Sequence, residues 1–93
     1  MKPTIANLVT PHLLRVVDFA NQAQAGGNID WHVRDAVAKT LDALGHQYNA
    51  RDLLSTYIEG LQTAAREKGR VYSAYARTLQ AAAAQATLHL EKL

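Results

Sequence analysis

Four histidines are the side chains best suited to metal binding or proton transfer, because an imidazole can ligate zinc or exchange a proton near neutral pH. They are His12, His32, His46 and His89, and no two of them are three or four residues apart. A zinc site would need ligands that converge from separate helices, and the chain has no cysteine to join them. We therefore expect no metal and no cofactor, and we interpret the histidines as dispersed surface or helix-capping residues.

The residue arrangements that support nucleophilic catalysis are also missing from the sequence. Ser55 and Ser73 are its only serines, and neither lies in a GxSxG motif or beside a histidine. The sequence contains neither a P-loop nor a dinucleotide-binding glycine motif. We therefore predict that the protein is not an enzyme.

Arginines in the C-terminal third could bind phosphate groups. Arg66, Arg70 and Arg77 would share one helix face, with Tyr72 and Tyr75 between them. Arginine pairs with phosphates and tyrosine stacks on bases, so this mixture is typical of nucleic-acid binding. Because the formal net charge of the chain is only +2, nucleic-acid binding is an alternative hypothesis and not the main one.

Trp31 is a candidate anchor for a protein partner. Its helical position points away from the apolar face that contains Val33. Tryptophan is enriched at the hot spots of protein interfaces. The competing interpretation is that Trp31 folds over the corner at Gly26 and Gly27 and covers the first helix.

The elements that must position these residues are helices. The chain has 93 residues, the length of one domain, and 48% of them are hydrophobic. Alanine and leucine are the commonest residues, and both favour helices. No apolar run approaches the roughly 20 residues of a membrane span, and no signal peptide is recognisable. We predict a single all-α domain over residues 1–93, located in the cytoplasm and not in a membrane.

Capping residues and hydrophobic spacing predict the first two helices. Thr10 followed by Pro11 is typical of a helix start, so we predict a helix over residues 10–25. Residues 1–9 then form an N-terminal arm. Apolar residues three and four positions apart predict a second helix over residues 29–44.

A heptad pattern dominates the C-terminal region. Apolar residues at intervals of seven continue through Gly69 without a change of phase. They predict one long helix over residues 50–92, and a turn at Gly69 with a four-helix bundle is the alternative. A continuous helix would be ~65 Å long and could bury this seam only against a second chain, so we predict a homodimer. The predicted protein interface consists of Trp31 and six seam residues: Leu54, Ile58, Leu61, Tyr72, Tyr75 and Leu79.

The order of these elements, with the heptad-patterned residues 54–93 at the end, resembles that of small helical anti-activators. Those proteins bind bacterial quorum-sensing transcription regulators. The resemblance implies a protein that occupies the dimerisation surface of a regulator, and it assigns no functional residue. Our main hypothesis is therefore a non-enzymatic protein that binds and sequesters a partner protein. Small type III secretion chaperones are similar in size and helicity, and a chaperone of that kind is a further alternative.

Overall fold

The computed structural model describes residues 4–93, which form four α-helices and no strand. The helices are α1 (Ile5–Gln24), α2 (Asp30–Gly45), α3 (Ala50–Lys68) and α4 (Ser73–Leu90). The predicted all-α class is confirmed. Short turns join the helices, so successive helices run antiparallel. None of the helices in this range has the length and hydropathy needed to cross a membrane.

The first helix begins at Ile5 and not at Thr10. Thr4 is its N-cap, and the Thr4 hydroxyl accepts a hydrogen bond of 3.1 Å from the backbone N–H of Asn7. Pro11 lies inside the helix, where it removes one backbone hydrogen bond. Residues 5–9 of the predicted arm are therefore helical, and residues 1–3 of that arm lie outside the described residues.

The chain turns at residues 69–72, so residues 50–92 form two helices and not the single helix that the heptad pattern predicted. A Cβ atom at Gly69 would lie 2.7 Å from the backbone oxygen of Ala65, closer than Cβ atoms approach other heavy atoms in proteins. The turn is therefore tight enough to require glycine. The alternative prediction, a turn at Gly69, describes the chain correctly.

The core lies among all four helices. Helices α1, α3 and α4 pack against one another, and α2 packs against all three. At the crossing of α1 and α3, a Cβ atom at Gly60 would lie 2.7 Å from Cδ2 of Leu13, so the absence of a side chain allows close packing. The largest fully buried side chains are those of Val16, Val37, Thr40, Leu53, Leu54, Tyr57, Leu61 and Leu79.

Glutamine side chains join α4 to α1 and α2. Gln24 Oε1, at the end of α1, accepts hydrogen bonds from the backbone N–H groups of Ala74 (3.1 Å) and Tyr75 (3.2 Å). These are N–H groups of the first turn of α4, whose own N-cap residue makes no side-chain cap bond. Gln85 Nε2 donates to the backbone oxygen of Arg34 in α2 at 3.1 Å. The start of α4 is thus capped by a side chain from another helix.

Candidate protein-binding surface

Most residues predicted to contact a partner lie in the core of the chain. Leu54, Leu61 and Leu79 are fully buried, and Ile58 and Tyr75 are nearly so. The heptad seam is covered within the chain because α3 and α4 pack against each other. These five residues are therefore not on the surface, and the predicted need for a second chain to cover them no longer applies.

Trp31 and Tyr72 are the two predicted interface residues that are exposed, to 61% and 45% respectively. Tyr72 lines a shallow groove with Asn21, Gln24 and Lys68, at the end of the molecule where α3 meets α4. This groove does not include Trp31. The two exposed rings are consequently separate features of the surface.

Trp31 belongs to an aromatic row, which we define as Trp31, His32 and Phe19. The centroids of the Trp31 and His32 rings are 3.8 Å apart, and those of His32 and Phe19 are 5.8 Å apart. Phe19, from α1, packs against the core and is half-buried. The row therefore orders the Trp31 ring on its inner side and leaves its outer side in solvent, so Trp31 is not a core residue.

The three predicted phosphate-binding arginines lie on three different segments and not on one helix. Arg66 lines a groove between α3 and α4 that includes Gln80. Arg77 lines a different groove with Asp30 of α2, and Arg70 lies in the turn between α3 and α4. The turn breaks the helix on which their common face depended. The single-helix face from which the nucleic-acid alternative was predicted is therefore absent from residues 4–93.

The tyrosines of that alternative are not available as a pair for base stacking. Tyr75 is buried, and the Lys68 ammonium lies 5.3 Å from the centroid of its ring. Tyr72 alone is exposed. A run of stacked bases would therefore meet one tyrosine ring at this place.

A small polar cluster, defined as His12, Thr40 and Tyr57, joins α1, α2 and α3. The Thr40 hydroxyl lies 3.1 Å from Nδ1 of His12 and donates to the backbone oxygen of Ala36 at 3.0 Å. The Tyr57 hydroxyl is buried close to the Thr40 hydroxyl, but no hydrogen bond of normal geometry joins it to any of residues 4–93. Sequence reasoning missed this cluster because its members are far apart in the chain.

Burial sets the protonation of this polar cluster. Burial, and then the positive charge of Arg15, lower the pKa of His12. Burial raises the pKa of Tyr57, while the Thr40 hydroxyl and Arg15 act in the opposite direction. Both groups are therefore held in their neutral forms at neutral pH. Among residues 4–93, no three histidine or acidic side chains come close enough together to hold a metal ion.

The outer face of α4 is a surface that the sequence analysis missed. We define it as Arg77, Ala81, Ala84 and Leu88 together with the C-cap residue Glu91, all of which are exposed. The sequence does contain a pattern that marks this face, because each of its residues from Arg77 to Leu88 comes two positions after a buried heptad residue of the same helix. Two residues turn a helix by about 200°, so a second heptad series lies on the opposite side. The buried series consists of Tyr75, Leu79, Ala82 and Ala86.

Comparison of the chain with known protein families, curated proteins and solved structures finds no match. The function is therefore argued from the surfaces of the molecule itself. The aromatic row exposes Trp31, and the outer face of α4 exposes Leu88.

Proposed function

We propose that the protein is a non-enzymatic binding protein that docks on another protein through the exposed ring of Trp31. The observation that carries the proposal is an indole that is 61% exposed yet lies against the His32 imidazole, with the two ring centroids 3.8 Å apart and the ring planes tilted by 33°. Covering such a ring removes apolar area from water. Because neighbouring rings already order it, little conformational entropy is lost on binding.

The surroundings of Trp31 support a protein as the binding partner. Along the outer face of α2, Trp31 is followed by Asp35, Ala38 and Asp42, which are all exposed. Lys39 forms an ion pair of 3.0 Å with Asp35. An apolar centre within a charged rim is the usual anatomy of a protein interface. We expect the partner to offer an apolar pocket with polar groups at its edge.

In its most specific form, the proposal makes the partner a transcription regulator whose dimerisation surface is occupied by this protein. Support for this form is the resemblance of the sequence to anti-activators. The surface proposed for the contact is now Trp31 and not the heptad seam, because the seam residues are buried.

The test compares the full chain with two variants as immobilised baits. Nuclease-treated lysate of the native host is passed over wild type, Trp31→Ala and Tyr48→Ala, followed by washing at ~0.5 M salt to remove phosphate-driven binding. Tyr48 is a matched control, since it is an aromatic residue that is 100% exposed. We expect one stoichiometric protein on wild type and Tyr48→Ala, and its loss from Trp31→Ala. Equal retention by all three baits would contradict the role of Trp31.

Trp31 also supplies a direct optical test, because it is the only tryptophan in the chain. When the captured protein is purified and added back, the emission of Trp31 should shift to shorter wavelength as its ring leaves water. To keep the emission of the partner out of the signal, the titration uses a partner variant without tryptophan. Alternatively, this chain is labelled so that its own tryptophan can be excited selectively. Emission that is unchanged at saturating partner would show that binding takes place elsewhere.

A further inference from the structure

The outer face of α4 is apolar in its middle and oppositely charged at its two ends. Leu88 is 62% exposed, and Ala81 and Ala84 beside it are also exposed. Residues 78–90 contain no Asp, Glu, Lys or Arg. Arg77 stands at one end of this uncharged stretch and Glu91 at the other. Within residues 4–93, neither of these two side chains forms an ion pair.

A groove runs along this face where α4 meets α3. Its walls are largely apolar and consist of Gln62, Gln80, Ala83, Ala84, Thr87 and Leu88. The groove is open to solvent and lies beside the exposed Leu88. It therefore offers a place for a large aliphatic side chain that approaches from outside.

The charges on the outer face are placed symmetrically about Ala84. Arg77 precedes Ala84 by seven residues and Glu91 follows it by seven. If a second α4 lies antiparallel with Ala84 opposite Ala84, each Arg77 meets Glu91 of the partner subunit. A parallel pair would instead place like charges together. An antiparallel copy of the same face thus places an opposite charge against each end of the face. This is the self-complementarity that a two-fold interface requires.

We propose that the outer face of α4 pairs antiparallel with the same face of a second copy of this chain. In this arrangement Leu88 of one subunit lies opposite Gln80 and Ala81 of the other, at the mouth of the groove between α3 and α4. The alanines allow the two helix backbones to approach closely. Arg77 and Glu91 form two equivalent ion pairs at the edges of the contact.

The size of the contact sets the expected affinity. One helix of about four turns on each subunit buries less than the roughly 1,200 Å² typical of stable interfaces. We therefore expect a reversible dimer with a dissociation constant on the order of 100 µM. The exposed ion pairs mainly determine the orientation, since such pairs are individually weak.

The first test is sedimentation equilibrium of the full chain from about 10 µM to about 1 mM, a range centred on the expected affinity. Wild type should pass from monomer to dimer. Ala84→Glu places two like charges at the two-fold axis and should weaken dimerisation by at least ~10-fold. Ala38→Glu, at an exposed alanine on α2, is the matched control and should dimerise like wild type. A wild type that is monomeric throughout, or an Ala84→Glu variant that dimerises normally, would overturn the proposal.

A charge exchange tests the orientation independently. Arg77→Glu and Glu91→Arg should each dimerise about tenfold more weakly than wild type, because each creates two like-charge pairs. An equimolar mixture of the two variants should recover wild-type affinity, because both pairs are then opposite in charge. The control mixture, Arg70→Glu with Glu67→Arg, has the same net charges and should show no preferential heterodimer. The antiparallel arrangement would be overturned if the mixture of Arg77→Glu with Glu91→Arg dimerised no more tightly than either variant alone. It would also be overturned if the control mixture dimerised as tightly as the test mixture.

This inference does not rest on the proposed docking of Trp31. Trp31→Ala should leave sedimentation unchanged, because Trp31 lies on α2 and outside the outer face of α4. Ala84→Glu should leave partner capture by the Trp31 surface detectable. Failure of one proposal is therefore distinguishable from failure of the other.

Discussion

His12 is a residue whose position in the fold favours its neutral form. Its imidazole lies between α1 and α2 next to the Thr40 hydroxyl, and burial together with Arg15 lowers its pKa below the ordinary value of 6.5. The unfolded chain then binds a proton on His12 at a higher pH than the folded chain does. Stability from this residue is complete above the unfolded pKa and is lost as pH falls through it towards the folded pKa.

We expect His12→Gln to reduce the pH dependence of the free energy of unfolding. Wild type should lose stability as the pH falls through the ordinary histidine value of 6.5, and the variant should lose less over the same interval. Arg15→Gln removes the smaller of the two causes of the lowered His12 pKa and leaves the burial of His12 in place. The pH dependence of its unfolding free energy should therefore be intermediate. Urea unfolding at a series of pH values measures all three. Identical pH dependence in wild type and His12→Gln would show that this imidazole is not the responsible group.

Trp31 shows what sequence can indicate at the scale of one residue. Its angular position on α2 indicated a direction away from the apolar face, and the ring is exposed. The aromatic row to which it belongs could not be predicted as a set, because Phe19 comes from another helix. Helical periodicity specifies the direction of a side chain, whereas the neighbours in that direction depend on how helices pack.

The heptad series illustrates the corresponding limit at the scale of an element. The pattern correctly marked Leu54, Leu61 and Leu79 as residues to be buried. It did not say whether the covering helix belongs to the same chain, because an intramolecular hairpin and a dimer bury the same positions. The start of α4 after the turn was also hard to locate, because the side chain that caps it is distant in the sequence. Gln24, which caps α4, precedes Ala74 by 50 residues.

Two glycines in or beside α3 should respond differently to the same substitution. At Gly69 a new Cβ would meet backbone, the Ala65 oxygen, so Gly69→Ala should cost about 1–3 kcal/mol of unfolding free energy. At Gly60 it would meet the end of the flexible Leu13 side chain, which can rotate. Higher helix propensity, about 1 kcal/mol, then offsets part of the steric cost. Chemical denaturation of both variants measures the difference, and an equal or larger loss for Gly60→Ala would contradict this account.

At the scale of the whole molecule, the two proposed surfaces lie on different helices. Trp31 is on α2, and the outer face belongs to α4. Paired copies would carry two Trp31 rings on one particle. The all-α class was predictable from composition and spacing, and the second helix was predicted within one residue of its observed bounds, Asp30–Gly45. This combination of surfaces was not predictable, because it depends on which helix faces are left uncovered after packing.

Two binding sites on one particle should produce avidity. On a surface densely coated with the partner, wild type at concentrations where it dimerises should dissociate at least ~10-fold more slowly than Ala84→Glu. On a sparsely coated surface the two should dissociate alike, because each particle then engages a single partner molecule. Biolayer interferometry at two coating densities makes the comparison. A difference that persists at low density would place Ala84 in the partner contact itself.

The cap that Gln24 places on α4 has a consequence for local opening of the fold. The amide protons of Ala74 and Tyr75 are hydrogen-bonded to the end of α1 and not to their own helix. They are exposed to exchange with solvent deuterium whenever the end of α1 detaches, even while α4 stays wound. Their exchange rates thus report the docking equilibrium of α1. Two slowly exchanging amides at the start of the last helix would reveal how firmly the first helix is attached.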